Sequence, residues 1–134
     1  MIAGYFEANG QPRVRGRLLL PRLGIVGGVN FLIDTGAVAT ALHPGDGVRL
    51  GCPFDDLLLP VEFEGVGGTH TYYRETAVIA FDDSNTDVEF RFELSIAKPH
   101  PAVDGLDSLL GRDILNRVRM EYDFPQERLE LVQA

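Results

Sequence analysis

The sequence predicts an all-β fold with one or two short helices. Three observations carry this: strand-length segments that alternate apolar and polar residues, turn signals between them, and helical patterning confined to two brief stretches. At 134 residues the chain is expected to form one domain over 1–134, large enough for one core and too short for two of ordinary size.

The elements follow in order. Ile2 to Ala8, Asn9-Gly10 and Arg13 to Leu20 read as a hairpin, because Asn-Gly supplies the positive φ angles of a tight two-residue turn. In its second strand Arg13, Arg15 and Arg17 share one face and Val14, Gly16 and Leu18 the other, so the three arginines are expected on a solvated face. Gly24 to Asn30 reads as a turn leading into the strand that ends at Asp34; it has no lysine for phosphate binding. A short helix is expected from Pro44, ended by Gly51. Val61 to Gly65 and Thr69 to Phe81 form a second hairpin with the tip Gly65-Val66-Gly67-Gly68, and Asp82 to Asp87 is a polar turn. Val88 to Ile96 alternates as a strand and is broken by Lys98-Pro99-His100-Pro101. Leu109 to Asn116 is the second helix candidate, and Arg117 to Phe124 with Arg128 to Val132 closes the chain as a last hairpin.

Composition excludes several function classes. With 20 acidic against 12 basic residues and a formal charge of −8, neither nucleic acid nor an anionic membrane is an expected partner. The single Cys52 rules out an intrachain disulfide framework or a multi-Cys metal site. The three histidines, His43, His70 and His100, lack ligand spacing, and the Asp82–Asp87 turn lacks the Gly and Glu of an EF-hand loop. No metal and no cofactor are therefore expected. The N-terminus shows no secretory pattern and no apolar run is long enough to span a membrane, so the expected compartment is cytoplasmic.

One segment carries chemistry. Phe31-Leu32-Ile33-Asp34-Thr35-Gly36-Ala37 delivers a carboxylate from the end of an apolar strand into a tight turn. Burying such a group costs several kcal/mol unless it is hydrogen-bonded, paired or protonated. The Thr35 hydroxyl is available to brace the loop, and Gly36 lets backbone N–H groups approach the carboxylate. Near the C-terminus, Ser108-Leu109-Leu110-Gly111-Arg112-Asp113 offers a support for a buried loop.

Taken with the glycine-rich tip at Gly65 to Gly68, these motifs resemble the retropepsin-like aspartic proteases, bacterial single-domain members included, over about Arg15 to Leu131. The resemblance implies a single-lobe acid-protease barrel, with catalytic residues Asp34, Thr35 and Gly36. It implies substrate binding by Ala37 and Val38 and by a flap at Gly65, Val66, Gly67 and Gly68, with Leu110, Gly111 and Arg112 as structural support. The expected activity is aspartic endopeptidase, acting on a peptide or protein substrate.

A chain of this length holds one such lobe and one suitable Asp, so catalysis is expected to need a homodimer in which two Asp34 side chains meet. The alternative is a non-catalytic peptide-binding or dimerisation module that keeps the fold. The sequence also departs from the retroviral enzymes it resembles: Val38 and Ala39 stand where acidic residues follow the Asp-Thr-Gly-Ala motif. Arg112 thereby loses its expected partner and is expected to pair with another acid, one across the dimer included, and the subsites nearest Val38 are expected to be more apolar.

Overall fold

The computed structural model describes residues 1–65, 68–83 and 86–133. Alternation in the sequence becomes alternation in burial: in β3 (Pro12–Leu20), Val14, Gly16, Leu18 and Leu20 face inward while Arg15, Arg17 and Leu19 face water. Arg13 corrects the solvated-face expectation. It is only 7% exposed, and Glu7 at 3.0 Å and Asp107 at 3.1 Å hold it there, because a guanidinium leaves water only where carboxylates replace its hydration.

The N-terminal strand is split. β1 (Ile2–Ala3) pairs with β11 (Arg128–Gln133), whereas β2 (Tyr5–Phe6) pairs with β3. The switch falls at Gly4, where a Cβ would lie 2.7 Å from the Arg13 carbonyl oxygen and 2.8 Å from Leu129. The chain reverses at Asn9-Gly10, but not as the two-residue turn expected: the Gly10 N–H donates to the Glu7 carbonyl at 2.8 Å, which puts Ala8 and Asn9 at the centre, and of the pair only Gly10, at φ +87°, has a positive φ.

β4 (Ile25–Ile33) runs antiparallel to β3 from Leu20↔Ile25 to Arg13↔Leu32. The turn expected over Gly24–Asn30 is therefore confined to Pro21–Gly24, with Gly24 at φ +67°. Gly27 belongs to the strand for a packing reason: a Cβ there would sit 2.1 Å from Leu50 Cδ2.

β5 (Ala41–Leu42) is followed by α1 (Pro44–Arg49), which starts on Pro44 and ends before Gly51 at φ +78°, as the sequence suggests. A 3₁₀ turn at Phe54–Asp56 leads into the long hairpin of β6 (Leu59–Gly65) and β7 (Gly68–Asp83). β8 (Thr86–Ile96) then pairs antiparallel with β7 from Asp83↔Thr86 to Tyr73↔Ile96.

β9 (Leu109–Leu110) and α2 (Arg112–Leu115) occupy the segment expected to be one helix. Two leucines in a row carry no period, so the choice fell to the partners available, β4 in parallel and β5 in antiparallel pairing. β10 (Val118–Asp123) and β11 form the last hairpin and, with β1, a three-stranded sheet ordered β1-β11-β10.

The large sheet is ordered β2-β3-β4-β9-β5-β8-β7-β6, and β3 also pairs with β7 through Leu18↔Ile79 and its neighbours. That extra pairing closes the strands from β3 round to β7 into a barrel, which removes their free edges. Phe31, Phe81, Leu18, Ile79, Leu94 and Leu110 fill it, and the same apolar cluster takes in Ile2, Leu129 and Leu131 of the small sheet. Each fully buried side chain of this size contributes roughly 1.5–3 kcal/mol by leaving water.

Candidate active site

Asp34 follows directly on β4, and its position is set by backbone pairing. Its N–H donates to the Leu110 carbonyl at 3.0 Å, which continues the β4–β9 ladder one residue past Ile33↔Leu110. The chain then turns back, with the Ala37 N–H donating to the Asp34 carbonyl at 3.1 Å. The Asp34 side chain is half-buried, and its Oδ1 accepts the Gly36 N–H at 2.9 Å. A Cβ on Gly36 would come 3.2 Å from that oxygen. Glycine therefore admits the amide to the carboxylate without crowding it.

The loop after Asp34 is clamped from the C-terminal segment. The Arg112 N–H donates to the Ala37 carbonyl at 2.9 Å, and its guanidinium donates to the Thr35 carbonyl at 3.0 Å. Among the described residues Arg112 pairs with no acid, and its bonds go to the loop carbonyls instead. Gly111 lies against the loop where a Cβ would fall 2.5 Å from the carbonyl carbon of Ala39. Leu110 is fully buried in the core beneath it.

The expected brace from Thr35 is supplied instead by Thr40. Thr35 is exposed and makes no side-chain hydrogen bond among the described residues. Buried Thr40 donates its hydroxyl to Asp113 Oδ1 at 2.6 Å and accepts the Gly111 N–H at 3.1 Å. Its own N–H reaches both Asp113 oxygens at 3.0 Å. One carboxylate at the start of α2 thus ties the end of the Asp34 loop to the support segment. Asp113 was part of the sequence motif, but its partner seventy-odd residues away could be found only by folding the chain.

The glycine-rich hairpin is present, with Gly65↔Gly68 the last pair before the tip and Gly68 at φ +114°. Val66 and Gly67 lie outside the described residues. No hydrogen bond joins Gly65 or Gly68 to the Asp34 loop among the described residues, whereas hydrogen bonds do bring Asp34–Ala37 together with Leu110–Arg112. Lower down, Tyr72 packs edge-on against Phe63 and His43, and its hydroxyl lies 2.8 Å from His43 Nε2.

His43 is itself buried at the start of α1, with Nδ1 directed at the Asp107 carbonyl. A carbonyl only accepts, so Nδ1 carries the proton and Nε2 accepts from Tyr72. Burial holds the His43 pKa below its ordinary value. Neither residue type nor spacing in the sequence points to this contact; the bond between His43 and Tyr72 links the hairpin to α1.

Val38 and Ala39 border an open cavity of about 500 Å³ that Phe63 of β6 and Phe92 of β8 also line. Val38 is 57% exposed. The cavity wall is not uniformly apolar, since Arg74, Arg91 and Arg117 line it as well. Among the described residues no group of three or more His, Cys, Asp or Glu is arranged to hold a metal ion, and no helix is long and apolar enough to cross a membrane.

No protein-family model and no curated protein matches the sequence. Among solved structures, the chain is similar to a retropepsin-like aspartic protease from Rickettsia conorii, with TM-score 0.57 and 22% identity over 98% of this chain and 88% of that one. EIAV protease in complex with the inhibitor HBY-793 aligns with TM-score 0.45 and 19% identity over 83% of this chain and 90% of that one. With the closed barrel, the β4–β9 ladder and the short α2 behind the Asp34 loop, the chain has the retropepsin-like, single-lobe all-β fold.

Proposed function

We propose that this protein is an aspartic endopeptidase that works as a homodimer and hydrolyses peptide bonds with a water held between two Asp34 carboxylates. The observation that carries this reading is the setting of Asp34: a half-buried carboxylate at the end of a core strand, one oxygen held by the Gly36 N–H, in a loop clamped by Arg112. The Rickettsia protein with which the chain shares its fold is described as an aspartic protease, which supports the same chemistry.

One carboxylate cannot act as base and acid in the same step. Two brought together across a two-fold axis can, because neighbouring negative charges resist joint ionisation and the pair holds one proton. The ionised Asp34 takes a proton from water as the oxygen attacks the scissile carbon, and the protonated one donates to the carbonyl oxygen. Ala37 and Val38 would line the extended substrate on one side, and the hairpin tip from Gly65 through Val66 and Gly67 to Gly68 would close over it. Main-chain hydrogen bonds then hold the peptide as an added strand.

The terminal strands bear on the dimer. β1 and β11 pair within the chain, so association rests on the Asp34 loops and the hairpin tips, and a weak dimer that dissociates on dilution is expected. The test is digestion of a peptide library between about pH 3 and about pH 7, with wild type and Asp34→Asn compared at concentrations where sedimentation shows a dimer. Cleavage by wild type and none by the variant is the expected result. A demonstrated dimer that cleaves nothing at any pH refutes the enzyme and leaves a peptide-binding module.

A further inference from the structure

We propose that the cavity beside the Asp34 loop is an anion-accepting subsite, built from Arg74, Arg91 and Arg117, that selects peptides carrying an Asp or Glu side chain away from the bond that is cut. The inference rests on the peptide-cleft reading above and adds the chemical class of its substrate.

Charge pairing across the molecule is the first observation. Arg13, Arg17, Arg22, Arg49, Arg119 and Arg128 each have a carboxylate within 4 Å. In a chain with eight surplus acids that is the expected state of an arginine. Arg15, Arg74, Arg91, Arg112 and Arg117 have no such partner among the described residues, and Arg74, Arg91 and Arg117 line one cavity together.

Their placement follows from strand register. Arg74 and Thr76 alternate on one face of β7, opposite Ser95 and Glu93 of β8, and Arg91 lies one pair further along that face, opposite Val78. Arg117 follows α2 and donates one guanidinium N–H to the Arg91 carbonyl at 2.7 Å, which fixes its head and leaves further donors.

Two acids, Glu93 and Asp113, also line the cavity, so its charged lining is three arginines against two carboxylates. Glu93 accepts the Thr76 hydroxyl at 2.9 Å. Asp113 accepts from the Thr40 N–H and hydroxyl and from the Ile114 N–H. The remaining donors belong to arginines, whose planar forks suit a carboxylate, while Phe63 and Phe92 supply apolar wall for its methylene stem.

Val38 and Ala39 border this cavity and lie four and five positions beyond Asp34. An acidic side chain seated here belongs to a peptide residue removed from the scissile bond. In a two-fold dimer the cavity occurs twice, so the preference should appear on both sides of the cut.

The test separates this inference from the catalytic reading. Labelled peptides with Glu at each position in turn, and their Gln counterparts, are bound to the Asp34→Asn protein and followed by fluorescence anisotropy; wild-type cleavage of the same set is measured separately. The expected result is binding about fivefold tighter for Glu than Gln at the responsive positions. That ratio should collapse in Arg74→Gln and Arg91→Gln, both exposed residues, and survive in Arg15→Gln, an arginine outside the cavity. Arg74→Glu should turn the preference toward Lys.

Equal binding of Glu and Gln peptides, an acid preference untouched by the Arg74 and Arg91 substitutions, or no peptide binding overturns the inference. Acid-selective binding that these substitutions abolish, without any cleavage by wild type, upholds it and removes the catalytic reading instead.

Discussion

Replacing Thr40 by Val removes one hydroxyl from the clamp behind the Asp34 loop while leaving the shape nearly unchanged. That hydroxyl donates to Asp113 Oδ1 at 2.6 Å and accepts the Gly111 N–H at 3.1 Å. A hydrogen bond to a charged group contributes about 1.5–3 kcal/mol, and a buried N–H left without an acceptor costs about 1–3 kcal/mol. Asp113 would keep the Thr40 and Ile114 N–H groups, which holds the first figure toward its lower end. The expected loss is about 3–4 kcal/mol, or a fall in Tm of roughly 10–15 °C for a chain of this size. Thr40→Ser keeps both bonds and loses only a methyl, so about 1 kcal/mol is expected. Urea unfolding of the two variants beside wild type gives the comparison. If Thr40→Val falls within about 1 kcal/mol of Thr40→Ser, the hydroxyl is not what holds the loop to the support segment, and the reasoning fails.

Gly36→Ala tests the approach of an amide to the carboxylate: the new Cβ would sit 3.2 Å from Asp34 Oδ1, so cleavage should drop about tenfold or more from misplacement of that group. Stability should change by less than about 1 kcal/mol, because Gly36 does not have a positive φ; unchanged kcat/KM would show that the Gly36–Asp34 contact does not position the acid. His43 gives a pH dependence. Burial lowers its folded-state pKa, so below about pH 6.5 the unfolded chain takes up a proton that the folded chain refuses, and stability falls as pH falls. The decline attributable to His43 is at most about 1.4 kcal/mol per pH unit. Denaturation from neutral pH downward should show a shallower slope for His43→Gln than for wild type, and identical slopes would contradict the burial argument.

Much of the architecture was legible because local chemistry and tertiary outcome agree. The chain reversed at Asn9-Gly10, with a loop one residue longer than a two-residue turn, Pro44 and Gly51 bounded a helix, and alternation along Val88 to Ile96 became alternation in burial. The misreadings share a cause. Gly27 looked like turn chemistry and is a strand glycine that makes room for Leu50. Leu109-Leu110 looked helical and became the strand between β4 and β5. Arg13 looked solvated and is buried between Glu7 and Asp107. In each case the deciding neighbour is remote in sequence, and no local pattern encodes it.

The candidate site divides along the same line. By itself the sequence determined that one carboxylate, Asp34, would leave an apolar strand into a turn whose next residues include the glycine that admits an amide, because those properties belong to adjacent residues. It also determined that a Leu-Leu-Gly-Arg-Asp segment would stand available as support. Only the tertiary structure decided how that support works: through Thr40 and Asp113 rather than Thr35, and through Arg112 on a loop carbonyl rather than on an acid. It alone gathered Arg74, Arg91 and Arg117 around one cavity. Hydrogen bonds and charge complementarity act over a few ångströms of space, and which residues share those few ångströms is settled by strand register and barrel closure, not by distance along the chain.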